Sequence, residues 1–167
     1  MLSAESAAGA YPREAVAMMD AIIRRVEADP NWPSLMRAEH GEGADEDVDA
    51  LIAAASRAAE ARSTACIVAY TTTGGTARRV ARERPLHPVL AIAPTDQVAR
   101  RLGLVGGVEP RVAAQAIDIG AMTDDAARLA AELGLAGAGE RVLVIAGPPL
   151  GAPGAANLLR ITHAPRT

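Results

Sequence analysis

The run Thr71-Thr72-Thr73-Gly74-Gly75-Thr76 is the part of this sequence best suited to chemistry. An apolar stretch of strand length, ACIVAY, precedes it, and a basic segment, ARRVARER, follows it and stops at Pro85. A strand that ends in hydroxyls and glycines and passes straight into a helix presents free backbone N–H groups, aligned peptide dipoles and side-chain hydroxyls to one small volume. That volume suits a phosphate, so the motif implies a phosphorylated small molecule as its partner. The structural alternative is a helix start in which Thr73 or Thr76 satisfies the helix's own orphan N–H groups. Arg78 and Arg79 stand close enough in sequence to assist an anion, or are simply solvated on a short exposed helix.

The rest of the chain narrows what that site can do. All 17 basic residues are arginine. A Walker-type loop, a kinase core and a Schiff-base enzyme each require a lysine, so none of those chemistries operates within this sequence. His40, His87 and His163 lie far apart and match no metal-ligand spacing, and neither a metal site nor a cofactor is expected. Glu46, Asp47 and Asp49 fall at a helix start, where negative charge is favourable, and are not read as paired catalytic carboxylates. No catalytic residue is assigned. The one cysteine, Cys66, reads as a small buried hydrophobe, which excludes a disulfide framework and makes the cytoplasm the expected location.

A chain of 167 residues, half of them hydrophobic, is long enough for one domain with its own core. Aromatics are 2% and phenylalanine is absent, so that core must come from Ala, Val, Leu and Ile in closely packed helices and strands. A net charge of -3 gives no case for nucleic acid or an acidic membrane surface. No apolar run approaches the roughly 20 residues that span a bilayer, and the N-terminus lacks the pattern of a secretory signal.

Tyr11-Pro12 opens a helix whose apolar stripe is Val16, Met19, Ile22, Ile23 and Val26, ended by Asp29-Pro30. Residues 31 to 44 read as a loop, with Trp32 a local packing anchor. A second helix is expected from Asp45 to Arg62 with Val48, Leu51, Ile52, Ala55 and Ala59 inward. Strand and helix then alternate: ACIVAY, a helix over 76–84, PVLAIA at 88–93, a helix capped by Thr95 and closed by Gly103, and a short strand in LVGGVEPRVA. A helix from Thr123-Asp124 to Gly134, the strand RVLVIAG at 141–147 and a final strand LLRITH complete the chain. The order specifies an α/β fold: a three-layer open sheet of about five strands with helices on both faces, mostly parallel. The link between the last two strands is too short for a crossover helix, so the last strand is antiparallel and lies at an edge, a candidate for pairing with another subunit. In the common strand order the first and fourth strands are neighbours at the switch point, where ligands gather beyond the carboxyl ends. The loops TTTGGT and GPPLGAPGAAN both leave those ends.

Four ordered strings carry a resemblance: MLSAESA with GAYPREAVAMM, TTTGGTARRVARERP, PVLAIAPTDQVARRLGLVGGVEP, and VLVIAGPPLGAPGAANLLRI. Together they resemble the C-terminal domain of pyruvate kinase over nearly the whole chain. The resemblance implies a domain that follows a catalytic (β/α)8 barrel, which transfers phosphate from phosphoenolpyruvate to ADP with Mg2+ and K+ and carries the catalytic residues. Residues 1–10 are then the barrel exit and linker, with Ser3 and Glu5 at rim positions and Ala4 and Ser6 in place of the usual Gly and Thr. Residues 11–167 are the α/β domain, inactive alone. It further implies a regulatory, homo-oligomer-forming module that binds sugar phosphates or nucleotides. Thr71, Thr73, Gly74 and Thr76, with Thr72 and Gly75 between them, match the effector-phosphate residues. Gly151, Gly154 and Asn157 match the loop that folds over the ligand. That loop has no basic or aromatic residue here, which favours a monophosphorylated sugar or nucleotide over a bisphosphate, or no effector at all. A free-standing phosphate-binding domain without a barrel, and an independent doubly wound enzyme, are the alternatives.

Overall fold

Three continuous apolar runs form the centre of a sheet because their side chains find cover on both faces. The structure, a computed structural model, describes residues 1–39, 47–61, 63–114, 118–147 and 156–166. The chain forms two compact units, Met1–Gly41 and Glu42–Thr167.

The first unit is helical: α1 (Ala4–Ala7), α2 (Pro12–Glu27) and α3 (Trp32–Glu39). Pro12 occupies the first helical position of α2, where its missing N–H costs nothing. The apolar stripe of α2 falls at the expected spacing, yet the helix buries none of its residues, and Ile22 is 52% exposed. The expected loop at 31–44 is corrected over its first part. Asn31 offers its carbonyl to the N–H of Ser34 and Leu35 at 3.1 and 3.0 Å, and the Ser34 hydroxyl donates to it at 2.7 Å. Those bonds nucleate a helical turn, and Pro33 sits early enough in it to be tolerated. Residues 40–44 lie outside the described residues.

The second unit carries α4 (Asp47–Ala61), β1 (Cys66–Tyr70), α5 (Gly75–Arg82), β2 (Val89–Ala93), α6 (Asp96–Leu102), β3 (Val108–Val112), α7 (Ile119–Glu132), β4 (Arg141–Ala146) and β5 (Leu158–His163). The sheet order is β3-β2-β1-β4-β5, parallel except for the β4–β5 pair. Fold class, the adjacency of first and fourth strands, and the antiparallel last strand are all as the sequence specifies.

Side-chain alternation divides the core in two. Ile67 and Ala69 of β1, Val89 and Ala91 of β2, and Leu143 and Ile145 of β4 face α4, α5 and Leu102 of α6. Cys66, Val68, Leu90, Ile92, Val142 and Val144 face Met122, Ala126 and Ala130 of α7. The register aligns these sets, with Ile67 beside both Val89 and Leu143. Alanines at the helix–sheet contacts let the helices approach closely, which a core almost without aromatics needs.

The expected start of α7 at Thr123 is corrected. Asp118 caps the helix by accepting from the Ala121 N–H at 2.8 Å, so α7 begins at Ile119, four residues earlier than expected. Thr123 lies inside the helix, and its hydroxyl donates to the Ile119 carbonyl at 2.6 Å. At the other end Gly134, at φ +68°, closes the helix as expected. Thr95 caps α6 as expected, accepting from the Val98 N–H at 3.4 Å.

Leu143 is fully buried against α4 and α5. Leu143→Ala is expected to lower unfolding stability by about 3 kcal/mol through lost burial and the residual cavity. Urea titration checks this, with the midpoint falling and the slope unchanged.

Candidate functional site

Strand β1 delivers the threonine-rich run to the carboxyl edge of the sheet, at the switch point between β1 and β4. Sheet pairing continues one residue beyond the strand: the Thr71 N–H donates to the Ile92 carbonyl at 3.0 Å. The chain then turns within three residues. The buried Thr71 hydroxyl oxygen accepts from the Gly74 N–H at 2.9 Å, and Gly74 adopts φ +95°, a left-handed conformation that glycine enters without strain. A Cβ on Gly74 would also lie 3.3 Å from the Leu102 side chain, which packs beneath the turn.

Helix α5 starts immediately. Its first intrahelical bond runs from the Arg78 N–H to the Gly74 carbonyl at 3.1 Å. Among the described residues, the N–H groups of Gly75, Thr76 and Ala77 have no acceptor, and no side chain caps the helix. The structural alternative, capping by Thr73 or Thr76, is therefore not what the turn does. Thr71 is the hydroxyl that turns back, and it serves Gly74 alone. Thr73 is exposed, while Thr72 and Thr76 are half-buried. The arrangement offers three aligned donors, with hydroxyls beside them, to one oxyanion.

Electrostatics around the turn come from arginine. The guanidinium carbon of Arg78 lies 3.8 Å from the position a Cβ would take on Gly74, so its charge sits beside the turn, on the side of Gly74 where Leu102 packs. Arg79 and Arg82 point to α4 instead: Arg79 Nη1 and Arg82 Nη2 each lie 3.0 Å from Asp49 Oδ1. Burial pushes the Asp49 carboxyl up, but hydrogen bonds and charge from the two guanidiniums outweigh it, and the group titrates below its ordinary value. Asp49, at 9% exposure, was not separable in the sequence from its neighbour Asp47, which is exposed. The only sequence signal is its spacing of three from Ile52, on the inward face of α4.

Tyr70 ties the end of β1 to the opposite helix layer. Its hydroxyl donates to the Met122 carbonyl of α7 at 2.9 Å, and burial, with the Asp125 charge, raises the phenol well above its usual value. Burial, followed by the Glu140 charge, likewise pushes the Cys66 thiol up to about 11, which leaves it unreactive at neutral pH.

Gly151 and Gly154 lie outside the described residues, as does His40. Asn157 is described, and its backbone N–H donates to the Ala146 carbonyl at 3.0 Å where β5 begins. In the first unit, the Ser3 hydroxyl donates to Glu5 Oε2 at 3.2 Å, and both residues are exposed. Among the described residues no group of three or more His, Cys, Asp or Glu side chains is placed to hold a metal ion.

A doubly wound α/β domain with a threonine- and glycine-rich turn at its switch point is the class that fold and site define. The chain belongs to the pyruvate kinase family, as its alpha/beta domain: the model of that domain matches residues 49–162. A pyruvate kinase of Methylorubrum extorquens is 42% identical over 99% of this chain, and one of Agrobacterium vitis is 37% identical over 98%. The chain spans about a third of the length of these relatives, 35% in each case. Among solved structures, a pyruvate kinase from Cryptosporidium parvum superposes on 99% of this chain with a TM-score of 0.83 at 28% identity, using 32% of its own length.

The two kinds of threonine are separable by stability. Thr71→Val removes the acceptor of a buried N–H and is expected to cost about 1 kcal/mol, whereas Thr73→Ala should stay within about 0.5 kcal/mol of wild type. Equal losses in chemical denaturation would contradict this division. Asp49 has a depressed folded-state pKa, so it contributes stability above the ordinary carboxylate value and loses it as pH falls through the folded one. The stability deficit of Asp49→Asn is therefore expected in full at pH 7, closing as pH drops below about 3.9. Thermal unfolding at stepped pH reads it, and a deficit unchanged down to pH 2 is the contrary result.

Proposed function

We propose that this chain is the regulatory module of a pyruvate kinase, taking a phosphorylated small molecule at the β1–α5 turn and contributing to a homo-oligomer. The observation that carries the reading is the run of unbonded N–H groups at Gly75, Thr76 and Ala77, set at the switch point with Arg78 beside Gly74. The phosphate oxygens replace the missing acceptors, and the α5 dipole adds to the attraction. Thr72, Thr73 and Thr76 supply hydroxyls around the same volume. A monophosphorylated sugar or nucleotide fits best, because residues 148–155 contain no charged side chain to meet a second phosphate.

In this reading the parent enzyme carries phosphate from phosphoenolpyruvate to ADP in the cytoplasm, and a separate barrel supplies the catalytic groups with Mg2+ and K+. Among the described residues of this chain no group of three or more His, Cys, Asp or Glu side chains is placed to hold such an ion. The chain also contains no lysine to act on a transferred phosphate. No helix among the described residues is long and apolar enough to cross a membrane. Self-association has support at the free edge of β5, where Ile161 is 49% exposed.

The test is thermal stabilisation by ribose 5-phosphate, glucose 6-phosphate and AMP, with the parent sugars and adenosine as controls. A ligand at about 100 times its dissociation constant should add about 2.7 kcal/mol to folded-state stability. The combined variant Thr73→Ala/Thr76→Ala should lose most of that shift while keeping its unliganded midpoint. If no phosphate ester shifts the wild type more than its unphosphorylated control, the reading fails.

A further inference from the structure

A sheet in the order β3-β2-β1-β4-β5 has two edges, and an unprotected edge is a template for a strand of another chain. The bonds to β2 fix which backbone groups of β3 are turned outward. The Val89 N–H donates to the Gly107 carbonyl at 3.2 Å, and the Ala113 N–H donates to the Ala93 carbonyl at 3.1 Å. Val89 stands opposite Val108 and Ala93 opposite Val112, so the parallel ladder uses Gly107, Glu109, Arg111 and Ala113. Val108, Pro110 and Val112 therefore turn their backbone groups away from the sheet. Most of those groups are already engaged or missing. The Val108 N–H donates to the Val105 carbonyl at 3.3 Å, in a turn with Gly107 at φ +76°. Pro110 has no N–H to offer. Its carbonyl accepts from Arg111 Nη1 at 2.9 Å, and Glu109 Oε1 holds the same nitrogen at 2.5 Å.

We infer that Pro110 and Arg111 close the β3 edge to strand addition, so that any extension of the sheet by a second copy of this chain is confined to the β5 edge. An added strand on β3 would meet one outward donor without an acceptor among the described residues, at Val112. Its own carbonyls opposite Val108 and Pro110 would be buried without partners, and its N–H opposite the Pro110 carbonyl would have to displace a guanidinium. The β5 edge carries no such block. The Ala164 N–H donates to the Glu140 carbonyl at 2.8 Å, and the antiparallel register then turns the N–H groups of Leu159, Ile161 and His163 outward, without an acceptor among the described residues. One open edge lets two copies join and then stop, whereas two open edges would let copies add without end. Closure of β3 stands on its own geometry and does not involve the phosphate reading; the joining of copies rests on the homo-oligomer reading above.

Light scattering on the full 167-residue chain over a rising concentration series tests this. Wild type should reach a limiting mass. The double variant Pro110→Val/Arg111→Ala restores a donor and uncovers a carbonyl, and its mass should keep rising with concentration. Adding Val112→Pro returns the edge to a single outward donor and should restore the limit, which general aggregation would not do. A double variant that folds natively, by circular dichroism and cooperative unfolding, and keeps the wild-type mass overturns the inference. So does a wild type whose mass rises without limit. Amide hydrogen exchange on wild type decides the matter if the double variant does not fold. The Val108 N–H should exchange at least about tenfold more slowly than that of Val112, and equal rates overturn the closed edge. A wild type limited to one copy removes the homo-oligomer reading, and the double variant still decides whether β3 is closed.

Discussion

Everything in the second unit follows from the burial of β1. Cys66, Ile67, Val68 and Ala69 are all inaccessible, and the strand is paired along both edges, with β2 on one side and β4 on the other. A backbone placed that deep must have its N–H and C=O groups satisfied by neighbouring strands, because water cannot reach them. That requirement brings β4, seventy-odd residues later in sequence, against β1 and creates the switch point. It also forces the chain out at the carboxyl edge, where the first residues free of sheet pairing are Thr72 and Thr73. The turn is thus a consequence of how the strand leaves the core.

The turn is rigid for reasons that lie outside it. Gly74 sits on Leu102 of α6, Thr71 closes the turn from within the core, and Asp49 of α4 grips α5 through two arginines. On the other face Tyr70 binds α7. Helices α4, α6 and α7 therefore hold the turn and the residues on either side of it, with three unbonded N–H groups at its end. Among the described residues these N–H groups have no protein acceptor.

The charge pattern is equally specific. With no lysine, every cation here is a planar guanidinium, suited to forked contacts with carboxylate or phosphate and unable to act as a nucleophile or proton-transfer amine at neutral pH. The chain covers about a third of the pyruvate kinases it matches.

Strand positions, the antiparallel last strand, the Thr95 and Gly134 helix boundaries and the threonine turn were all legible in the sequence, because each rests on local patterns of two to six residues. Period-two burial, a capping hydroxyl and a glycine at positive φ declare themselves without a partner. The α3 helix and the early start of α7 were not legible, since a carbonyl at Asn31 and a cap at Asp118 look like ordinary polar loop residues until the backbone closes around them. Likewise, Asp47 and Asp49 are equivalent as first-turn acids, and Arg78 and Arg79 as adjacent cations. The sequence by itself determined that a threonine- and glycine-rich turn with arginine around it would sit after β1. Only the tertiary structure decided which arginine faces the turn and which are held by Asp49, because that depends on α4 packing beside α5, a contact between residues 30 positions apart.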